Sequence, residues 1–79
     1  MNVKITKWGF TRRNSIKAEF DLFPHSLVIL RKIRSFYFVY QVHWSSLDPI
    51  VETRHLEEME ILVNKELGYE RYYLNRRKM

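Results

Sequence analysis

The stretch Phe36-Tyr37-Phe38-Val39-Tyr40-Gln41-Val42-His43-Trp44 decides the fold that this sequence predicts. Successive side chains of a β-strand point to opposite faces of the sheet, so the two alternating sets can be examined separately. The even-numbered set is entirely apolar: Phe36, Phe38, Tyr40, Val42 and Trp44. The odd-numbered set is half apolar: Tyr37, Val39, Gln41 and His43. A strand that is apolar on both sides needs cover on both sides, and a chain of 79 residues has little material for a second cover. The pattern therefore predicts a partner surface.

The composition predicts one small globular domain over residues 1–79. Hydrophobic residues make up 46% and charged residues 29% of the chain, which is typical of a folded and not a disordered sequence. There is no cysteine, so disulfides, thiolate zinc sites and thiol nucleophiles are excluded. We expect no cofactor. Domains of this size bury only about 60% of the surface that the unfolded chain exposes, and many are stabilised by self-association.

The sequence also predicts a soluble, cytoplasmic protein. No apolar run approaches the roughly 18 residues of a membrane span, and the N-terminus lacks the apolar region of a signal peptide. Residues with A/T-rich codons, such as Phe, Tyr, Ile, Asn and Lys, are abundant, and Ala18 is the only alanine. This bias favours a low-GC source such as a bacteriophage or another mobile element.

Charge is segregated along the chain, whose net charge is +5. Residues 1–34 carry eight basic and two acidic side chains, residues 52–70 carry two basic and six acidic, and residues 71–79 carry four basic and no acidic side chains. This dipolar pattern fits docking to a charge-complementary protein, self-association or nucleic-acid binding.

Alternation and turn residues predict four strands. Residues 11–15 read as a turn because Asn14 tolerates the left-handed conformation, and residues 23–26 read as a second turn around Pro24. An uninterrupted strand over residues 27–44 would exceed the size of the domain, so a third turn is expected at residues 32–35. The predicted strands are residues 2–10, 16–23, 27–32 and 36–44.

One helix is expected between Asp48 and Gly68. Asp48 is a good N-cap, Pro49 suits the first helical position, and Gly68 can end the helix in the left-handed conformation. Residues 69–79 form either a further helical turn or a basic tail. The apolar stripe of the helix is Leu56, Met59, Leu62, Val63 and Leu67.

The predicted architecture is α+β, an antiparallel four-stranded β-meander followed by one C-terminal helix on one face of the sheet. The even-numbered apolar residues of strands 16–23 and 36–44 are expected to meet the helix. The other sheet face would then present an exposed apolar patch, which on a monomer usually marks an interaction site. Its predicted members are Val28, Leu30, Tyr37 and Val39, and Trp8 and Phe10 are further candidates for partner contact.

The basic residues form a second candidate site. In a meander alternate turns fall at the same end, so residues 11–15 and 32–35 are expected to bring their cations together. Beside aromatic side chains such cations resemble a surface for nucleic acid. No nucleic-acid motif is present, and the predicted helix is too acidic for a major groove. The predicted basic patch is Arg12, Arg13, Lys32, Arg34, Arg76, Arg77 and Lys78.

The sequence gives little support for an enzyme or a metal site. It contains no phosphate-binding loop, dinucleotide fingerprint or hydrolase motif. His25, His43 and His55 are the only candidate general bases at neutral pH. His43 could serve a small ribonuclease, but no acid and base are paired at a defined spacing. His55 and Glu58 have a spacing found in di-iron sites, which need several further helices.

These observations predict a non-enzymatic protein-binding module that is homodimeric. If its source is a phage, the partner would be a host factor, such as a defence protein that the module inhibits by contact. Two alternatives stay open: a small basic regulator that binds nucleic acid, and a small ribonuclease.

Overall fold

A computed structural model describes residues 3–12 and 14–76. The predicted α+β class and four-stranded antiparallel meander are confirmed, and a second short helix follows the first. The strands are β1 (Ile5–Phe10), β2 (Ser15–Phe20), β3 (Phe23–Ile33) and β4 (Phe36–His43), and the helices are α1 (Thr53–Leu67) and α2 (Glu70–Asn75).

The strands lie in one sheet in the order β1-β2-β3-β4, so β1 and β4 are its two edges. Two-residue turns join β2 to β3 at residues 21–22 and β3 to β4 at residues 34–35. The third predicted turn is therefore confirmed in position but is shorter than expected. Arg34, the first residue of that turn, has a φ of 59°.

The turn predicted at residues 23–26 is wrong, because β3 already begins at Phe23. The buried carboxylate of Asp48 accepts hydrogen bonds from the backbone N–H of His25 and the hydroxyl of Ser26. Asp48 is therefore not the helix N-cap that the sequence suggested. Its role is to bind the loop before α1 to the first residues of β3.

Irregular pairing decides which side chains of β3 and β4 face the helix. Between the pairs Ala18↔Val28 and Phe20↔Phe23, β3 has three more residues than β2. An odd number of extra residues moves the alternating side chains to the opposite face. Val28 and Leu30 thus share a face with Ala18 and Ile16, their partners on β2.

A second irregularity lies in β4. Leu30 pairs with Val39 and Ile29 pairs with Gln41, so Tyr40 is an extra residue. The even-numbered residues of β4 were expected to face the helix, and this expectation is wrong up to the bulge at Tyr40. Tyr37 is buried there instead, and Tyr40 is 51% exposed. After the bulge Val42 packs against the core as expected, but Trp44 is 46% exposed.

The core lies between the sheet and α1. The apolar stripe predicted for the helix is confirmed: Met59 and Val63 are buried, and Leu56, Leu62 and Leu67 pack around them. The buried apolar residues of this cluster are Val3, Ile16, Ala18, Phe20, Phe23, Val28, Leu30, Tyr37, Met59 and Val63.

The helix begins later than predicted, at Thr53 with Glu52 as its N-cap, and Pro49 lies in the preceding loop. The buried side chain of His55 accepts a hydrogen bond at Nδ1 from the backbone N–H of Glu52, at 2.9 Å. The predicted end of the helix is confirmed, since Gly68 has a φ of 84° in the left-handed region.

Two polar side chains of α1 bind the outer edge of β4. Asn64 is fully buried and accepts a hydrogen bond from the N–H of Tyr37 at 2.7 Å, while its amide donates to the carbonyl of Tyr37 at 2.8 Å. One turn earlier, the carboxylate of Glu60 accepts a bond from the N–H of Val39 at 2.7 Å. These side chains supply the partners that a fifth strand would otherwise supply.

The second helix is attached to the same residues. The buried Tyr73 hydroxyl donates to Glu60 at 2.6 Å, and the Tyr73 ring meets the ring of Phe36 edge-on. Of the two alternatives left open for the residues after Gly68, a helix is observed for residues 70–75. The last residues of the predicted tail, 77–79, lie outside the described part of the chain.

We expect Asn64→Ala to lower the free energy of unfolding by about 2–4 kcal/mol, because it leaves a buried N–H and carbonyl without partners. Urea denaturation measures this loss. Lys65→Ala, an exposed neighbour on the same helix, is the control and should cost less than about 0.5 kcal/mol. Equal stability of the two variants would contradict the role assigned to Asn64.

Alkaline pH should destabilise the fold. Burial and the hydrogen bond to Glu60 raise the pKa of Tyr73 well above its ordinary value of 10.0, and burial also raises the pKa of Tyr37. The unfolded chain loses these protons near pH 10 and the folded chain keeps them. Stability is therefore fully present below pH 10 and falls as the pH rises above it.

Denaturation at a series of pH values checks this dependence. Tyr73→Phe should be less stable at neutral pH but should show a shallower loss of stability above pH 10. Tyr72→Phe, which alters a half-exposed ring, is the control and should keep the slope of the wild type. A wild-type stability that does not change between pH 9 and pH 11 would be contrary to this expectation.

Candidate functional site

The sheet face opposite α1 is the first candidate surface, and we call it the open face. Lys17 of β2 pairs with Ile29 of β3, and Arg31 of β3 pairs with Phe38 of β4. Directly paired residues of neighbouring strands share a face. The alternate residues of these strands enter the core with α1, so this set points away from it. The open face includes Lys17, Leu27, Ile29, Arg31, Phe38 and Tyr40, and the exposed Gln41 and His43 pair with Ile29 and Leu27 on the same side.

The open face is partly apolar and partly basic. Leu27, Ile29 and Phe38 are half-buried by their neighbours, whereas Lys17 and Arg31 are exposed. The guanidinium carbon of Arg31 lies 3.8 Å from the centroid of the Tyr40 ring, which is a cation–π contact. This contact holds a cation and an aromatic ring together on the open face, beside the edge strand β4.

Four residues predicted for the exposed apolar patch are misplaced. Val28 and Leu30 are fully buried, Tyr37 is 4% exposed, and Val39 packs against the core. The prediction of their exposure is wrong because three extra residues in β3 and the extra residue Tyr40 in β4 change which alternate side chains face the helix. An uncovered and partly apolar face exists, but the residues that form it are different ones.

Trp8 and Phe10 are exposed, as expected, but they do not lie on the open face. They pair with Ala18 and Ile16, so their side chains lie on the same side as α1, at the β1 edge. The two rings meet edge-on with their centroids 5.4 Å apart, and Phe10 is 63% exposed. They form a small aromatic surface separate from the open face.

Some of the cations that were expected to converge do so, and we call the resulting cluster the basic end. The N–H of Lys32, near the end of β3, donates to the carbonyl of Asn14, just before β2, at 2.8 Å. Arg12, Arg31 and Lys32 line a hollow of about 400 Å³ there. The Lys32 ammonium also lies 3.3 Å from the hydroxyl of Tyr69, so its position is fixed.

The remaining predicted cations that the structure describes do not line the hollow of the basic end. Arg34 lies at the tip of the β3–β4 turn, and the guanidinium of Arg76 donates to the carbonyl of Tyr73 at 2.7 Å. Arg13, Arg77 and Lys78 lie outside the described residues.

The three histidines lie apart. His55 belongs to the start of α1, His25 binds Asp48 through its backbone, and His43 pairs with Leu27 at the end of β4. In residues 3–12 and 14–76, no three His, Asp or Glu side chains form a cluster that could hold a metal ion.

The sequence interpretation missed the residues that organise the site. Glu60 was not distinguished from the other acidic residues of the helix, and Asn64 was not distinguished from the apolar residues around it. An asparagine beside the buried Met59 and Val63 is nevertheless a signal for a buried polar contact. Ile29 was overlooked because its exposure depends on the irregular pairing of β3.

A family model described as Uncharacterised protein YuzH matches residues 4–78, almost the whole chain. The chain belongs to the YuzH family. No curated protein and no solved structure matches it. Neither helix in the described ranges has the length and apolar character needed to cross a membrane.

Proposed function

We propose that this member of the family is a non-enzymatic protein-binding module that docks through its open face. The observation that supports the proposal is an uncovered sheet surface where half-buried apolar side chains adjoin exposed cations. Arg31 and Tyr40, which are in contact on this face, are residue types enriched among the residues that dominate binding energy in protein interfaces.

The charges of the open face suggest the chemistry of the partner. Lys17 and Arg31 are exposed, and Glu19 at its border is paired across the strands with Lys7. A net basic rim around an apolar centre complements an acidic protein surface that has its own apolar centre. A host factor with such a surface is the proposed partner, and inhibition of that factor remains a prediction.

Affinity capture from a bacterial lysate with quantitative comparison of variants tests the proposal. Proteins bound specifically should be retained by the wild type and by Ile50→Glu, a control in an exposed loop. They should be lost from Tyr40→Glu, because the added carboxylate repels an acidic partner and removes the contact with Arg31. If all three baits retain the same proteins, the open face is not the docking surface.

Homodimer formation is a separate proposal. In this proposal two copies pack the apolar residues of their open faces against each other. Light scattering should therefore report a mass of about twice 9.8 kDa. Tyr40→Glu should then yield the monomer, because it replaces an aromatic ring by a charged carboxylate in the apolar contact. A wild-type mass of one chain at micromolar concentration would exclude the dimer.

Nucleic-acid binding is a second candidate, favoured by the three cations that converge at the basic end. It predicts that Arg12→Ala/Lys32→Ala abolishes a gel shift with single-stranded RNA or DNA. Affinity should also fall linearly on a plot of log K against log salt concentration. Lack of a shift at low salt would remove this candidate. No comparable observation favours a ribonuclease.

A further inference from the structure

An apolar groove lies at the end of the molecule where the β3–β4 turn meets α2, and we call it the terminal groove. Its volume is about 750 Å³, which is within the range of small-molecule sites in proteins. It is distinct from both the open face and the basic end. The groove is lined by Ile33, Arg34, Ser35, Phe36, Tyr72, Asn75 and Arg76.

The walls of the terminal groove are apolar side chains that remain in contact with solvent. Ile33 is 52% and Tyr72 53% exposed, and they come from the two different elements that form the groove. The ring of Phe36 is fixed edge-on against the buried ring of Tyr73. One aromatic wall of the groove is therefore held in place by packing.

The charged residues of the groove are all cations. Arg34 and Arg76 line it, and none of the seven lining residues is acidic. The guanidinium of Arg76 lies 3.6 Å from the centroid of the Tyr73 ring and donates from one nitrogen to the Tyr73 carbonyl. A guanidinium has five N–H donors, so donors remain for an anion. Apolar walls with oriented cations are complementary to an apolar molecule with one negative group.

The backbone of Arg34 provides an independent indication. Its φ of 59° lies in the left-handed region, and a positive φ at the first residue of a two-residue hairpin turn favours glycine. An arginine in this conformation is strained, and such strain is concentrated at functional sites. The observation suggests that the side chain of Arg34 is kept for a contact at the expense of stability.

We propose that the terminal groove binds a small carboxylate with an apolar body, such as a medium-chain aliphatic acid. The chain of the ligand lies against Ile33, Phe36 and Tyr72. Its carboxylate accepts hydrogen bonds from the guanidinium groups of Arg34 and Arg76, an interaction that is strengthened by charge. This proposal does not depend on docking through the open face.

Titration of the isotopically labelled protein with decanoate, below the concentration at which it forms micelles, tests the proposal by NMR. Saturable shifts are expected at the amides of Ser35, Phe36 and Asn75. The neutral analogue 1-decanol should bind at least tenfold more weakly. Equal affinity for the two compounds, or no saturable shift at these amides, would overturn the proposal.

Arg34→Gly gives the sharper test, because stability and binding should change in opposite directions. The melting temperature should rise as the strain is relieved, while affinity for decanoate falls at least tenfold. Arg54→Gln, which removes an exposed arginine from α1, is the control and should bind as the wild type does. Undiminished binding by Arg34→Gly would refute the assigned role of Arg34.

Tyr40→Glu separates this proposal from docking through the open face. Its affinity for decanoate should equal that of the wild type. A loss of binding in this variant would place the ligand on the open face and contradict the assignment to the terminal groove.

Discussion

The outer edge of β4 is the constraint on which the rest of this structure depends. An edge strand exposes unpaired N–H and carbonyl groups, which invite pairing with another chain. Here Asn64 binds both backbone groups of Tyr37 and Glu60 binds the N–H of Val39. Because the two residues are one helical turn apart, they hold α1 along the strand. Glu60 also accepts the hydroxyl of Tyr73, so the same contacts fix α2.

The position of α1 determines which surfaces are available for binding. Its apolar stripe covers one face of the sheet, where Met59 and Val63 meet the buried residues of β2 and β3. Neither helix of the described residues covers the opposite face, and α2 is placed beside the β3–β4 turn, where the terminal groove forms. The two proposed binding surfaces thus follow from one packing arrangement, although they differ in chemistry and are tested separately.

The sequence predicted the elements better than it predicted their faces. Strong alternation in residues 16–20 and the apolar stripe of α1 identify those elements because burial imposes a period on each. The prediction of which side chains of β3 and β4 face the helix was wrong, because three extra residues in β3 and the extra residue Tyr40 in β4 change the alternation. Pro24 is the only local signal of the first irregularity, and a proline at this position predicts a turn equally well. The basic end was predictable because it follows from meander topology, whereas the terminal groove depends on the packing of α2.

Hydrogen exchange at the amides of Tyr37 and Val39 tests the central claim most directly. Both belong to an edge strand, where outward amides normally exchange quickly with solvent. If Asn64 and Glu60 bind them, both amides should exchange as slowly as those in the interior strand β3, and Asn64→Ala should remove the protection at Tyr37. Rapid exchange of both amides in the wild type, at the rate of an unstructured peptide, would contradict the account.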